Sequence, residues 1–238
     1  MALIARIIPR HAFDADLTAQ LFGIYSRYYA PVDAGVFARD FQAKTYAVVL
    51  YDATDTPCGF STVERLHHQT PTGPITLLFS GDTVIDRAHW GHQTLPFAWI
   101  EQAGRLKATA PDTPLYWLLI TKGHRTYRYL PAFTHRHYPD PTDTPPQIQA
   151  LIDSVAGAKF GPAYDAARGI LRPAADCPTA LRPLFDGLDA AASQNRHVRF
   201  FLDKNPGHAQ GEELVCLCEL SRLNLRPWAR QHFERGLT

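Results

Sequence analysis

The segment Gly81–Leu95, GDTVIDRAHWGHQTL, has the residue types and spacing most suited to chemistry in this chain. An apolar run enters a loop that contains Gly91, and the loop feeds the start of a helical pattern. The first N–H groups of a helix have no partner inside it, and the aligned peptide dipoles add partial positive charge there. Such a start can hold a phosphate or pyrophosphate, although an ordinary strand-to-helix turn has the same spelling. Thr94 can cap this helix and Pro96 fits its first turn, where a proline leaves the cradle one N–H short. Further along, Lys122–His137 contains Lys122, Arg125, Arg128 and Arg136 with no acid among them. That cluster could hold an anion or simply face solvent. His89-x-x-His92 and His135-x-His137 have spacings that occur in metal sites, but neither has the further ligands of a closed site nearby. No metal is expected.

These segments need elements to carry them. Leu17, Leu21, Ile24, Tyr25 and Tyr28 recur at helical spacing, which predicts a first helix over Asp14–Ala30 with Asp14 as its cap. The apolar runs Thr45–Tyr51 and Cys58–Leu66 flank the turn-forming DATDTP and read as an antiparallel hairpin. A second turn, Thr70–Pro74, leads into a long strand over Ile75–Ile85, in which Gly81 suggests a bulge or a close backbone approach. Leu95–Lys107 has helical spacing, and Pro114–Thr121 is the continuous apolar run of a strand buried on both faces. Strand, helix and strand in that order make a crossover between parallel strands. The four prolines of Pro139–Pro146 exclude a regular element there and set off residues 1–138 from residues 139–238. The back part is expected to hold helices around Gln147–Ala156 and Pro162–Leu171, then a terminal hairpin of Val198–Leu202 and Glu213–Leu220. Two strands alone are marginal, so this part should complete the same domain by joining its sheet. The expected class is α/β (α+β), with a mixed, mostly antiparallel central sheet flanked by helices.

Composition narrows the classes further. With 238 residues, 45% of them hydrophobic and 11% aromatic, the chain can bury a sizeable core, which excludes global disorder. Lys and Arg number 24 against 23 Asp and Glu, a balance that argues against a general nucleic-acid binder. No run approaches the length of a membrane span, and MALIARIIPRHAF is too short in its apolar part for an export signal. A soluble, cytoplasmic protein with no membrane contact is therefore expected. Its four cysteines should be reduced: Cys216 and Cys218 would share one face of a strand, and Cys58 and Cys177 sit in separate turn-like settings. A homodimer is possible if Phe200, Phe201, Leu214, Val215 and Leu217 extend a sheet across two chains.

The order of these elements resembles the Gcn5-related N-acetyltransferase superfamily, whose members transfer acyl groups from acyl-coenzyme A. That family follows its fourth strand with Q/R-x-x-G-x-G/A, which binds the coenzyme A pyrophosphate. Val84–Thr94 is similar to that region. Ile85-Asp86 stands where a valine and a turn residue precede the loop, and Gly91 matches a family glycine. Trp90 and Gln93 stand where the family carries an arginine and a second glycine. Gly59-Phe60 matches a Gly-Phe of the third strand, and Leu115–Thr121 and Lys122–Ala132 match the fifth strand and the helix after it. The resemblance covers residues 14–138. It implies acetyl-CoA or another acyl-CoA as co-substrate, held by Val84, Ile85, Trp90, Gly91, His92, Gln93, Thr94 and Leu95, with Arg125 and Arg128 supplying charge.

The same resemblance implies catalysis by direct attack of a small-molecule amine on the thioester. Asp82, on the fourth strand, and Glu64, on the third, are the bases it suggests, and either would need a raised pKa to serve near neutrality. Tyr127 is the acid it suggests for the departing sulfur. One of His67 and His68 could line the acceptor site, since neighbours on a strand face opposite ways. Two other readings remain open: a non-catalytic relative whose cleft binds a small molecule or a protein, and an acyl-transferring signal synthase that docks an acyl-carrier protein.

Overall fold

Asp14 accepts a hydrogen bond from the Leu17 N–H at 2.7 Å, and the apolar stripe predicted behind it becomes the buried face of the first long helix. In this computed structural model, residues 3–174, 178–188 and 190–238 are described, so Cys177 lies outside them. The strands are β1 (Ile4–Pro9), β2 (Tyr29–Ala30), β3 (Tyr46–Tyr51), β4 (Pro57–Thr70), β5 (Gly73–Ile85), β6 (Leu115–Thr121), β7 (Tyr164–Asp165), β8 (Ile170–Leu171), β9 (Ala180–Leu181) and β10 (Glu213–Glu219). The helices are α1 (Ala15–Tyr28), α2 (Ala34–Ala43), α3 (Thr94–Thr109), α4 (His124–Tyr127), α5 (Tyr129–Phe133), α6 (Pro146–Phe160), α7 (Pro183–Asp186), α8 (Ala190–Gln194), α9 (Arg196–Lys204) and α10 (Pro227–Leu237).

The main sheet has the order β1-β3-β4-β5-β6-β10-β8-β7. Its pairings are antiparallel except that of β5 with β6, which α3 connects. The fold is thus mixed α/β, with a large, mostly antiparallel sheet flanked by helices. Strand periodicity divides the core. Ala47 and Val49 of β3 pack with Leu21, Ile24, Phe37 and Phe41 of α1 and α2. Val48 and Leu50 face α3, where Trp99 and Ile100 are buried. The helix α6 covers a third cluster around Phe79, Leu118 and Val215. The predicted bulge is present: the register passes from Ser61↔Thr83 to Val63↔Ser80, so Gly81 and Asp82 oppose Thr62 alone. Among the described residues, no helix is long and apolar enough to cross a membrane. Cys58, Cys216 and Cys218 are buried free thiols.

Several expectations for the back part are corrected. Val198–Leu202 is not a strand but the middle of α9, capped by Asn195, which accepts from the His197 and Val198 N–H groups. Val198 and Phe201, three residues apart, form its buried edge; five apolar residues fit either period. No terminal hairpin forms, and β10 instead lies between β6 and β8. Leu214, Val215 and Leu217 therefore lie on an interior strand, and Phe200 and Phe201 lie in α9, so these five residues do not form a free strand edge. Pro162–Leu171 is not a helix either: it supplies the short antiparallel pair β7 and β8. The sequence reading also missed β1, α2 and α10.

Candidate active site

Pairing between β5 and β6 stops at Ser80↔Leu119, while β5 continues to Ile85. The bulge at Gly81–Asp82 bends β5 away, and two cavities of about 360 Å³ each open at the split. Tyr29, Thr83 and Thr126 line both. Beyond Ser80, the edge of β5 that faced β6 has no strand partner, and Thr83, Val84 and Ile85 line the first cavity there, the Ile85 carbonyl being taken by the Trp90 indole.

Val84, Ile85, Trp90, Gly91, His92 and Gln93 line this first cavity, together with Arg125 and Arg128 across from them. Gly91 has φ +89°, a conformation that suits glycine. Among the described residues, the N–H groups of Gly91, Gln93, Thr94 and Leu95 make no backbone hydrogen bond, leaving the start of α3 as an open anion cradle. Two sequence expectations shift here. Gln93, not Thr94, occupies the N-cap position and makes no side-chain cap. Thr94 and Leu95 do not line the cavity, and Leu95 is buried in the core, so of the four open N–H groups those of Gly91 and Gln93 belong to residues that line it. The loop is fixed to α1 through Asp86, which accepts from the Tyr28 hydroxyl at 3.1 Å and from Arg27 at 2.9 Å. The Arg87 N–H in turn donates to the Tyr28 oxygen at 2.6 Å.

The two arginines differ. Arg125 stacks its guanidinium 4.6 Å above the Trp90 ring and donates to the carbonyls of Phe185 and Gly187. It is therefore committed to the segment that crosses this cleft, and not to a phosphate as expected. That segment is tied down on its other side by the β2–β9 ladder, and Phe185 packs 4.4 Å from Tyr28. Arg128 is exposed at the cleft, and its guanidinium has no hydrogen bond or ion pair among the described residues, which leaves its five donors for a ligand. Trp90 donates its indole N–H to the Ile85 carbonyl at 2.8 Å, so the residue that stands in place of an arginine braces the loop.

The second cavity is polar. Asp40, Lys44, Asp82, Lys122, Lys159 and Glu213 reach it from different elements. Burial, then the carboxylate of Asp40, push the Asp82 carboxyl up to about 7, against the pull of Lys44 and Lys122. Glu64 does not line the cavity; it pairs at 2.7 Å with Lys159, which does. The rings of Tyr25 and Tyr29 stack at 4.7 Å, and burial raises both phenols far above their usual range. Tyr127 lies in neither cavity. It is fully buried, donates to the Pro139 carbonyl at 2.7 Å, and packs against Phe200 and Phe201. His67 and His68 sit outside the cavity, His68 within 2.8 Å of the Ser154 hydroxyl. The residues missed in the sequence, Lys44, Lys159, Tyr29 and Glu213, share no motif with Asp82; only the fold assembles them.

No protein-family model and no curated protein matches the chain. Among solved structures, it is similar to Arabidopsis thaliana NAA60 in complex with acetyl-CoA, at 12% identity over 57% of this chain and 89% of that one, TM-score 0.41. It is also similar to the GNAT family N-acetyltransferase YhbS of Escherichia coli in complex with CoA, at 13% identity over 56% of this chain and 70% of that one, TM-score 0.38. A third is a conserved protein of unknown function from Enterococcus faecalis, at 7% identity and TM-score 0.41. The match covers 54% of this chain and only 32% of that protein's length.

Proposed function

We propose that this chain is an acyl-CoA-dependent N-acyltransferase of the Gcn5-related type, acting on a small amine by direct attack. One observation carries the reading: an anion cradle and a cavity holding a carboxylate with a pKa near 7 meet at the split between β5 and β6. The first cavity suits the coenzyme. Open N–H groups at Gly91 and Gln93 fit a diphosphate, Arg128 adds a free guanidinium, and the stretch of β5 beyond Ser80 that has no strand partner fits an extended amide-bearing chain. When bound, acyl-CoA would supply the thioester carbonyl that the amine attacks.

The chain's own residues divide the remaining work. Asp82 takes the proton from the acceptor nitrogen, since a base with a pKa near the working pH is partly ionised and still proton-seeking. Tyr29 lines both cavities, and burial keeps its phenol protonated; we assign it the proton donation at sulfur that the resemblance implied for Tyr127. Glu64 holds Lys159 in position. Tyr127→Phe is accordingly expected to keep turnover within twofold while losing about 1 kcal/mol of stability with the bond to Pro139. Steady-state rates and a denaturation curve on the same variant check both halves.

A second reading, a non-catalytic binding module, is favoured by the way Trp90, Arg125 and Phe185 crowd the cleft. Titration with acetyl-CoA by calorimetry separates the two. Saturable binding is expected, and Arg128→Ala should weaken it by about tenfold, the worth of a charge-assisted hydrogen bond. Absence of heat at any accessible concentration would overturn the transferase reading in favour of the second.

A further inference from the structure

The second cavity contains more lysines than a site for a plain amine requires. Lys44 is 2% exposed and Lys159 is 18% exposed, so both side chains are largely covered and reach solvent chiefly through the cavity. Each has three N–H donors and one protein acceptor: Asp40 at 2.7 Å for Lys44, Glu64 at 2.7 Å for Lys159. Among the described residues, two donors on each are left unpaired. A buried ammonium with unused donors is costly unless an anion or water meets it. The two groups are gathered around one ring, with Lys44 Nζ 5.2 Å and Lys159 Nζ 4.4 Å from the centre of Phe79. A Cβ placed on Gly81, beside Asp82, would lie 3.6 Å from Lys44 Nζ. The unused donors and the base are therefore neighbours.

The charge balance is specific. Lys44, Lys122 and Lys159 each pair with an acid: Asp40, Glu213 and Glu64. Asp82 is the carboxylate left over. The leftover carboxylate can receive one cationic nitrogen, and the unused N–H donors of Lys44 and Lys159 can still take one anionic group. A second ammonium would find only N–H donors at the free positions of Lys44 and Lys159 and no acceptor there, which disfavours it. The rings of Tyr25, Tyr29, Phe79 and Phe160 line the remaining wall and suit an apolar side chain.

We propose that the acceptor is a zwitterion, a primary amine that also carries a carboxylate, of the size and kind of a free amino acid with an apolar side chain. Asp82 meets its nitrogen and Lys44 and Lys159 meet its carboxylate; diamines and polyamines are rejected. The identity of the acceptor rests on the acyl-transfer reading, but its binding does not, so the two can fail separately.

The test is direct binding to the full chain by calorimetry, without acyl-CoA, using L-phenylalanine, L-leucine and L-tyrosine against phenethylamine, isopentylamine and tyramine, with putrescine as the dication. At least one amino acid should bind about tenfold or more tighter than its decarboxylated partner, and putrescine should not bind. Lys159→Met should remove that preference by weakening the amino acid, while its amine partner, which makes no bond to Lys159, is not weakened. Equal affinities within every pair, tighter binding of putrescine, no binding by any amino acid, or equal weakening of both partners in Lys159→Met would overturn the proposal. If the amino-acid preference holds but acetyl-CoA does not bind, the transferase reading falls and this inference stands. If amines are acetylated with no carboxylate preference, this inference falls alone.

Discussion

Asp82→Asn should lower the turnover of any accepted amine by about a hundredfold to ten-thousandfold, the span a positioned general base contributes. Acetyl-CoA binding should be unchanged, which also shows that the variant is folded. Asparagine is nearly the same shape, so the loss would report the missing base and not a refilled cavity. The pH dependence is the sharper readout. The rate of the native protein should rise through about pH 7 as Asp82 ionises, and the variant's residual rate should lack that inflection. Stability should move the opposite way. Because folding raises this pKa from 3.8 to about 7, the native state holds a proton that the unfolded chain releases earlier. The stabilising contribution is complete below about pH 4 and is lost as pH rises through about 7. The denaturation midpoint of the native protein should therefore fall relative to that of the variant as pH rises from about 4 to about 7. A variant that retains a third of native turnover, or an inflection unmoved by the change, would remove Asp82 from the mechanism.

The largest effect on stability should come from a substitution far from both cavities. Where α3 crosses α10, the backbones touch: a Cβ on Gly104 would lie 2.0 Å from the Phe233 carbonyl oxygen, and one on Gly236 would lie 2.0 Å from that of Glu101. Backbone atoms cannot rotate aside, so the helices would have to part. Gly104→Ala and Gly236→Ala are each expected to cost about 3 kcal/mol, the upper part of the usual range for overpacking. Gly157, inside α6, has nothing within 4 Å of its added Cβ. There the same change should stabilise by roughly 0.5–1 kcal/mol through helix propensity alone. Urea denaturation of the three variants checks the contrast, and similar values for all three would show that the helices do not cross as tightly as described.

What the sequence made legible was local. The β3–β4 hairpin could be read because its turn is written in side-chain chemistry: Asp52 accepts from the N–H groups of Thr54 and Thr56. The parallel pair β5–β6 followed from a buried apolar run and a helix of the right length between them. The loop before α3 was found because Gly91 and the helix start are adjacent in the chain. Tyr127 was misplaced for a structural reason. The segment after β6 breaks at Arg128 into two short helices, and Tyr127, at the end of the first, turns into the core. Tyr29 was overlooked because it lies just past the end of α1, where the helical stripe no longer says which way a side chain points. Lys44 and Lys159 are separated from Asp82 by long stretches of chain, and no spacing rule connects them.

The place of β10 has a bearing on biosynthesis. It lies in the interior of the sheet, hydrogen-bonded to β6 on one side and β8 on the other. As the nascent chain leaves the ribosome, β6 can dock beside β5 early, but its other edge stays bare until Glu213–Glu219 has been made. A translation product halted before that point would display an unpaired apolar strand, the sort of template that recruits other chains. Such fragments should collect in inclusion bodies and burden the chaperones, and trimming the chain before Glu213 is a poor route to a smaller working protein.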